Sequence, residues 1–487
     1  MYFALLVLNV AVFALVVAAF LRSPACNLYH PLTIYLAFHG LVFVLRPLLS
    51  WYYDYAMIYE LFRFAPDSYA KNMTLVAANV GLLSFAAASV HFGNAPFRNG
   101  FDKFTAIEMN ALAKPLWLVS LLLLPLIAWS LYEVWQLRAA SMETLQLDEA
   151  TGTTINTVGN GYVQSAYMFG VTLMPLIAWV GRFRLWTLAP AVLFVFLQSG
   201  SGTRGPAISM LLCLALLYLH ARNRKLPDWR VIGIAVAGLV LFNLVGSDRG
   251  HSIRSVISED RAIVSQKDRR LAPLEGMDLG SLEYFEFLVE KVPRSTGTFE
   301  YFVDNLQIFT EPVPRVLWKG KPIGQPIRLF YLFNYGYPIG MTRSLPGEGW
   351  TQLGLIGVAV WCGLWGTICG WIYNRYTRSR QGVLQTAFYV SFLATLIVFY
   401  RDGLLITLLR QGVFFVLPAL LWAGLARAMA VPRASDFRLM AAARQLRADR
   451  MAKRAAVLDL SEAAAEGLRR LPRSQRHARR PFPLPRR

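Results

Sequence analysis

Six arginines mark the places in this chain where chemistry could be done. Arg204 lies in SGSGTRGP, Arg249 in SDRGHSIR, Arg315 in EPVPRVLWKGKP, Arg343 in MTRSLPGEGW and Arg401 in YRDG, while Arg410 stands inside an apolar run. Guanidinium groups present a planar fork of donors that matches the oxygens of phosphate. Glycines directly after Arg204 and Arg249, and two residues after Arg401, let the backbone approach a ligand and add N–H donors. Together with Lys321, such a set suits a multiply anionic ligand, above all a diphosphate. Ordinary loop or snorkelling arginines explain Arg254 or Arg343 equally well. They explain Arg410 least, because an ionisable group inside an apolar span is costly and usually functional.

A general base is the second requirement for group transfer. Glu348 follows Pro346-Gly347 and precedes Gly349-Trp350, where the chain turns from a polar interval into an apolar one. A carboxylate there is partly desolvated, which raises its basicity. His251 is the alternative. Glu283, Glu286, Glu300 and Asp304 are further candidate bases on the outer side, although most loop acids are solvated decoration. No metal site is expected: the six histidines are dispersed, and His-x-x-x-His and Asp-x-Asp pairs are absent from the sequence. Cys26, Cys213, Cys362 and Cys369 lack metal-ligand spacing and read as small apolar residues. No cofactor is implied. GSGTRG at 200–205 matches the glycine fingerprint for dinucleotides, but that fingerprint needs a strand before it and a helix after it. Apolar spans flank it here.

The elements that must position these residues follow from composition. Of 487 residues, 55% are hydrophobic and 16% charged, whereas a soluble domain carries about 25% charged residues. Apolar windows fall near 1–21, 32–50, 72–92, 115–137, 163–181, 185–199, 206–220, 231–246, 350–373, 383–400 and 403–424. Most reach the roughly 18 residues a membrane-crossing helix needs. The expectation is an all-α integral membrane protein of about eleven spans. The N-terminal run lacks a basic flank and a clear cleavage site, so it reads as a retained span.

Charge orients the spans. With eleven of them, the connections carrying Arg22, Arg98 to Lys114, Arg182 and Arg184, Arg222 to Arg230, and Arg375 to Arg380 all fall on one side, which the positive-inside rule makes cytoplasmic. The N-terminus is then outside and the C-terminus inside. The chain divides into helices 1–8 over 1–246, a large outer loop over 247–349, helices 9–11 over 350–424 and a basic tail over 425–487. Within the loop, SLEYFEFLVEKV has helical spacing and could lie on the membrane surface. The net charge of +20 comes about half from the tail, where 16 Lys and Arg face 5 Asp and Glu after Gly424. Basic membrane flanks and attraction to anionic lipid explain this excess without nucleic acid.

Three stretches resemble a known family. EPVPRVLWKGKP, with Pro314, Arg315, Trp318, Lys321 and Pro322, is similar to a Pro-Arg…Trp…Lys-Pro signature of bacterial oligosaccharide repeat-unit polymerases, the O-antigen polymerase type. LPGEGWTQLGLIG at 345–357 and SGTRGP resemble two further segments of that family, and spans 6–11 with a late outer loop resemble its layout. The basic tail departs from it. The resemblance implies a multi-span, GT-C-like, metal-independent glycosyltransferase of the bacterial inner membrane. Its substrates would be oligosaccharides on undecaprenyl diphosphate at the periplasmic face, with a flippase and a chain-length regulator as working partners. Arg204, Arg249, Arg315, Lys321, Arg401 and Arg410 would hold diphosphate, and Glu348 or His251 would take the acceptor proton. An O-antigen ligase and a lipid-linked oligosaccharide transporter are the other readings.

Overall fold

The computed structural model describes residues 1–62, 64–97, 100–139, 145–147, 154–156, 161–199, 205–226, 274–275, 279–310, 313, 317–318, 328–336, 342–379 and 381–470. Among these the chain is almost wholly helical, with one short antiparallel ribbon pairing Leu145–Leu147 and Thr154–Asn156. In chain order the helices are α1 (Tyr2–Leu21), α2 (Pro31–His39), α3 (Arg46–Tyr53), α4 (Met57–Phe62), α5 (Ser68–Gly93), α6 (Lys103–Ala139), α7 (Gly161–Ser165) and α8 (Gly170–Val180). There follow α9 (Leu185–Ser199), α10 (Gly205–Ala221), α11 (Ser281–Lys291), α12 (Gln307–Thr310), α13 (Leu345–Arg378), α14 (Val383–Asp402), α15 (Leu405–Ala428) and α16 (Ala434–Arg470).

Among the described residues, eight helical segments are long and apolar enough to cross a membrane. They are α1, the α2–α3 unit, α5, α6 to Val134, Val163–Val180, α13, α14 and α15. The α9 and α10 helices are apolar but shorter. The window at 231–246 lies outside the described residues. Among the described residues, eight long apolar helices and two shorter ones occupy ten of the eleven expected windows.

The basic connections do gather at one end of the bundle. Leu28 N–H donates to the Lys225 carbonyl at 3.2 Å, and Ser23 meets Asn94 at 3.1 Å. Gly100 N–H donates to Gln381 at 2.8 Å, and Arg182 donates to Asn110 at 3.2 Å. The tail helix α16 joins this end through Arg438, which donates to Asp102 at 3.0 Å. The opposite end carries α4, α11, α12 and the starts of α5 and α13.

Two local devices shape that opposite end. Between α2 and α3, residues Gly40–Leu45 form a π-helical turn just before Pro47. Proline lacks an N–H and crowds the preceding turn, which opens the ladder there. The widened turn delivers Arg46 to the interior, fully buried. The second device is in α13, where Leu353 and Gly354 leave helical geometry and Gly354 takes φ +61°. A short half-helix, Leu345–Gln352, therefore precedes the long apolar one. The two halves touch through glycine: a methyl on Gly349 would come within 2.7 Å of Val358 Cα.

The longer half packs against α5. Methyl groups on Gly366 and Gly370 would reach 2.5 Å from the carbonyls of Phe85 and Ser89. Small residues at these two positions let the helices approach closely. Around this pair the core is aromatic, with Tyr35 stacked on Phe85 at 4.2 Å and Tyr400 edge-on to Phe85 at 5.5 Å.

The α11 helix corrects an expectation. Its sequence suggested a helix lying on the membrane surface, with one apolar face. Instead both faces are covered: Glu283 and Glu286 are as buried as Phe285 and Leu288. Its apolar face packs on α13, where Phe285 and Leu288 border Gly347. Its acidic face meets Arg46 and Tyr59. The charge pattern that looked like a solvent face is a buried ion-pair face.

Candidate functional site

The half-helix of α13 sets up the candidate site. Ser344 caps it, accepting from Gly347 N–H at 3.3 Å, and Pro346 sits in its first turn. Glu348, also in the first turn, is favoured there by the positive end of the helix dipole. The break at Leu353 leaves the last carbonyls of the half-helix without intrahelical partners. The preceding loop supplies them: Glu300 N–H donates to Thr351 O at 2.9 Å and Tyr301 N–H to Gln352 O at 3.2 Å. Phe302 N–H donates to the Gln352 side chain. These bonds bring Glu300 beside Glu348, and the single helical turn at Val303–Leu306 adds Asp304.

One guanidinium holds the three acids together. Arg343 grips Glu300 with both terminal nitrogens, Nη1 to Oε2 at 2.7 Å and Nη2 to Oε1 at 3.1 Å. Its Nη1 also reaches Glu348 Oε2 at 3.0 Å and Asp304 Oδ2 at 3.5 Å. Gln352 closes the cage, donating to Glu348 Oε1 at 2.6 Å and Asp304 Oδ1 at 3.0 Å. The Glu348 side chain is wholly enclosed, while Arg343 keeps 13% exposure and Glu300 9%. Arg343 and Glu300 therefore form the rim of the cage, and Glu348 its floor.

Electrostatics make the cage a place to hold a proton. Burial, with the neighbouring Glu300 charge, pushes the Asp304 carboxyl up to about 6. Three carboxylates and one guanidinium would leave a buried excess of negative charge, so a proton kept near neutral pH relieves it. Glu300, Asp304 and Glu348 can each turn an oxygen within 4.8 Å of the others, a grouping that could hold a metal ion. The absence of a metal motif in the sequence did not anticipate it. Arg343 supplies the positive charge at that position.

A turn between α14 and α15 closes the mouth. Ser344 N–H donates to the Arg401 carbonyl at 2.9 Å, and Trp361 Nε1–H to the Gly403 carbonyl at 3.3 Å. Gly403 has φ +81°, and a methyl on it would lie 2.8 Å from Glu348 Cβ. Only glycine fits this left-handed, crowded position. Asp402 accepts from Thr407 Oγ1 and lies within electrostatic reach of Arg343, Arg401 and Arg410. The Arg401 Nε is enclosed and finds no hydrogen-bond partner among the described residues. Arg410 is exposed on α15.

A second buried charge site lies on the other face of α11. Arg46 forms an ion pair with Glu283 at 2.7 Å, both side chains essentially inaccessible. Arg46 also donates to the Glu275 carbonyl at 3.3 Å, and the Glu275 carboxylate caps the start of α4 through Ala56 and Met57 N–H at 3.1 and 3.0 Å. Tyr59 donates its hydroxyl proton to Glu286 at 2.6 Å. Burial pushes the Glu286 carboxyl up to about 7, and the adjacent Glu283 adds to this.

The structure thus brings Glu348, Arg401 and Arg410 to one mouth. Arg204, Arg249, His251, Arg315 and Lys321 lie outside the described residues. Glu283, Glu286, Glu300 and Asp304 are not the solvated acids expected; each is buried. The residues that sequence reasoning undervalued are Arg343, Glu300, Asp304 and Gln352. Glu348 and Gln352 carried a local signal, a four-residue spacing that on a helix puts both on one face; Glu300 and Asp304 carried none, because they reach the cage from a loop and a single 3-10 turn. Comparison with known protein families, characterised proteins and solved structures finds no match to this chain.

Proposed function

We propose that this chain is a membrane glycosyltransferase that joins lipid-diphosphate-linked oligosaccharide repeat units into a longer glycan. The observation that carries the reading is the buried Glu300–Asp304–Glu348 cage around Arg343, set beside Arg401 and Arg410 at the mouth of one bundle end. Glycosyl transfer from a diphosphate needs positive charge for the leaving group and a carboxylate for the acceptor proton, and both chemistries meet at this mouth.

The acceptor hydroxyl oxygen attacks the anomeric carbon of the donor. The bond from that carbon to the diphosphate oxygen breaks, and the diphosphate leaves with the electron pair. Arg401 and Arg410 face its growing negative charge, with Arg204, Arg249, Arg315 and Lys321 proposed to complete the set. The acceptor proton passes to the cage, through the rim carboxylate Glu300 or the floor carboxylate Glu348, with His251 as the other candidate. Guanidinium groups supply the charge compensation, so the reading needs no metal ion. It places the chain in a bacterial inner membrane, with the N-terminus and the cage on the periplasmic side and the C-terminus in the cytoplasm. A flippase and a chain-length regulator would work beside it.

The test is polymerisation by the purified chain reconstituted in bilayers with lipid-linked repeat units, read as a ladder on a gel. Wild-type protein should give ladders, and Glu348→Gln or Glu300→Gln should shorten or abolish them while keeping the elution profile of folded protein. Absence of ladders from wild type, or wild-type ladders from both variants, would overturn the reading. A ligase of the same chemistry would transfer once to a different lipid acceptor and give a single shifted product.

One observation favours transport as a second reading. Discontinuous helices with a half-helix terminus pointing at charge are common in transporters, and α13 is broken at Leu353-Gly354. Vesicles showing substrate crossing without new glycosidic bonds would select that reading.

A further inference from the structure

A hollow of about 240 Å³ opens beside the acidic face of α11. It lies on the opposite side of that helix from the carboxylate cage. Its walls come from the N-terminus of α1, the end of α3, the α4 segment and the start of α5. We infer that this hollow is a carbohydrate-binding site for one neutral pyranose ring, formed by the aromatic walls Tyr2, Trp51 and Tyr59 with the polar groups Asp54, Ser68 and Lys71.

The lining argues for a sugar. A pyranose presents an apolar C–H face and an equatorial ring of hydroxyls. Aromatic rings satisfy the first, and a carboxylate, an ammonium and a serine hydroxyl satisfy the second. Asp54 and Lys71 carry opposite charges, so the hollow has no net charge with which to select an anion. An interfacial aromatic belt would turn its rings outward toward lipid. Here Tyr2 and Tyr59 are half-buried in the wall of a concavity with Lys71, and the exposed Trp51 and Asp54 stand at its lip.

The walls are held in place from behind. Tyr59 donates to the fully buried Glu286 at 2.6 Å, so the tyrosine ring cannot turn away without stranding a buried carboxyl. Lys71 Nζ sits over the same ring at 5.2 Å. Asp54 adopts φ 51°, ψ 61°, a left-handed conformation that acidic residues tolerate better than most but that is uncommon off glycine. It ends α3 and points the chain into α4. Trp51 is 53% exposed, open to an incoming ring, and its ring centroid lies 5.0 Å from that of Phe3.

This inference deepens the glycan reading above and takes from it the biological source of the sugar. Its test needs no polymerisation. The full chain in lipid nanodiscs is mixed with methyl glycosides of glucose, galactose, mannose, rhamnose and N-acetylglucosamine, and saturation-transfer NMR is recorded. At least one glycoside should show saturation concentrated on its C–H face. Trp51→Ala and Asp54→Asn should lower that signal at least tenfold, while Trp51→Phe should retain it and show that an aromatic face is what matters. The proposal is overturned if no glycoside is saturated by wild type, or if the signal is unchanged in Trp51→Ala and Asp54→Asn. It is also overturned if phosphocholine or glycerol phosphate displaces the glycoside, since the hollow would then be a lipid-headgroup site. Failed polymerisation with intact saturation would count against the transferase alone, and intact polymerisation without saturation against the sugar site alone.

Discussion

Arg343 and Glu300 meet as two parallel prongs, Nη1 to Oε2 at 2.7 Å and Nη2 to Oε1 at 3.1 Å. The pair joins the loop before α12 to the residue that precedes the Ser344 cap of α13, and the same Nη1 continues to Glu348 at 3.0 Å. A single side chain therefore couples the loop to the broken helix. Arg343→Ala would leave three carboxylates buried without their cation. Removing one partner of a buried ion pair costs about 3–5 kcal/mol. A marked drop in thermal stability is expected, measured by the temperature at which detergent-solubilised protein loses its monodisperse elution peak. Arg343→Lys should recover only part of it, because lysine cannot form the two-pronged contact.

Gly403 tests how tightly the mouth is built. Its positive φ and the proximity of Glu348 Cβ leave no room for a side chain. Gly403→Ala should destabilise by about 1–3 kcal/mol from crowding alone. Gly363→Ala, on α13 where a methyl meets open space, should be close to neutral. The comparison is a pair of melting curves, and equal shifts would show that the mouth yields easily.

The Arg46–Glu283 pair predicts non-additivity. Arg46→Met alone or Glu283→Gln alone should each be strongly destabilising, because each strands a buried partner. The double variant should lose less than the sum of the two. A double-mutant cycle in thermal stability reads the coupling, and additive losses would mean that the two side chains do not act as a unit.

Glu286 predicts a pH dependence. Its carboxyl is raised from the ordinary 4.5 to about 7, so the folded chain holds this proton more tightly than the unfolded chain. The stabilisation is present in full below pH 4.5 and is lost as pH rises through 7. Asp304, raised from 3.8 to about 6, acts in the same direction over a lower window. Stability should therefore fall between pH 3.8 and 7, and Glu286→Gln should flatten the upper part of that slope. A slope unchanged in Glu286→Gln would assign it to other groups.

The places where sequence reasoning fell short share a cause. In SLEYFEFLVEKV the period of the apolar residues located a helix correctly, and the acids between them read as a water-facing side. Burial of Glu283 and Glu286 depends on Arg46 and Tyr59, which come from more than two hundred residues away. Local periodicity carries no information about such partners. Arg343 reads equally well as an ordinary loop arginine or a functional one for the same reason, since Glu300, Asp304 and Glu348 converge only when the loop caps the broken helix. Glu348 stands out in the sequence because its Pro-Gly-Glu-Gly setting at the edge of an apolar run is a local signal.

Residue order alone determined what depends on nearest neighbours and solvent. Long apolar runs must bury their backbone polar groups as helices, and basic connections mark a common side, so the helix positions and the clustering of the basic turns at one end were readable. Tertiary structure decided what depends on distant partners: the cage around Arg343, the buried acids of α11, and the glycine at 403 that lets α14 and α15 turn against Glu348. A buried charge survives only beside a compensating one, and which residue compensates it is set by packing across the whole chain.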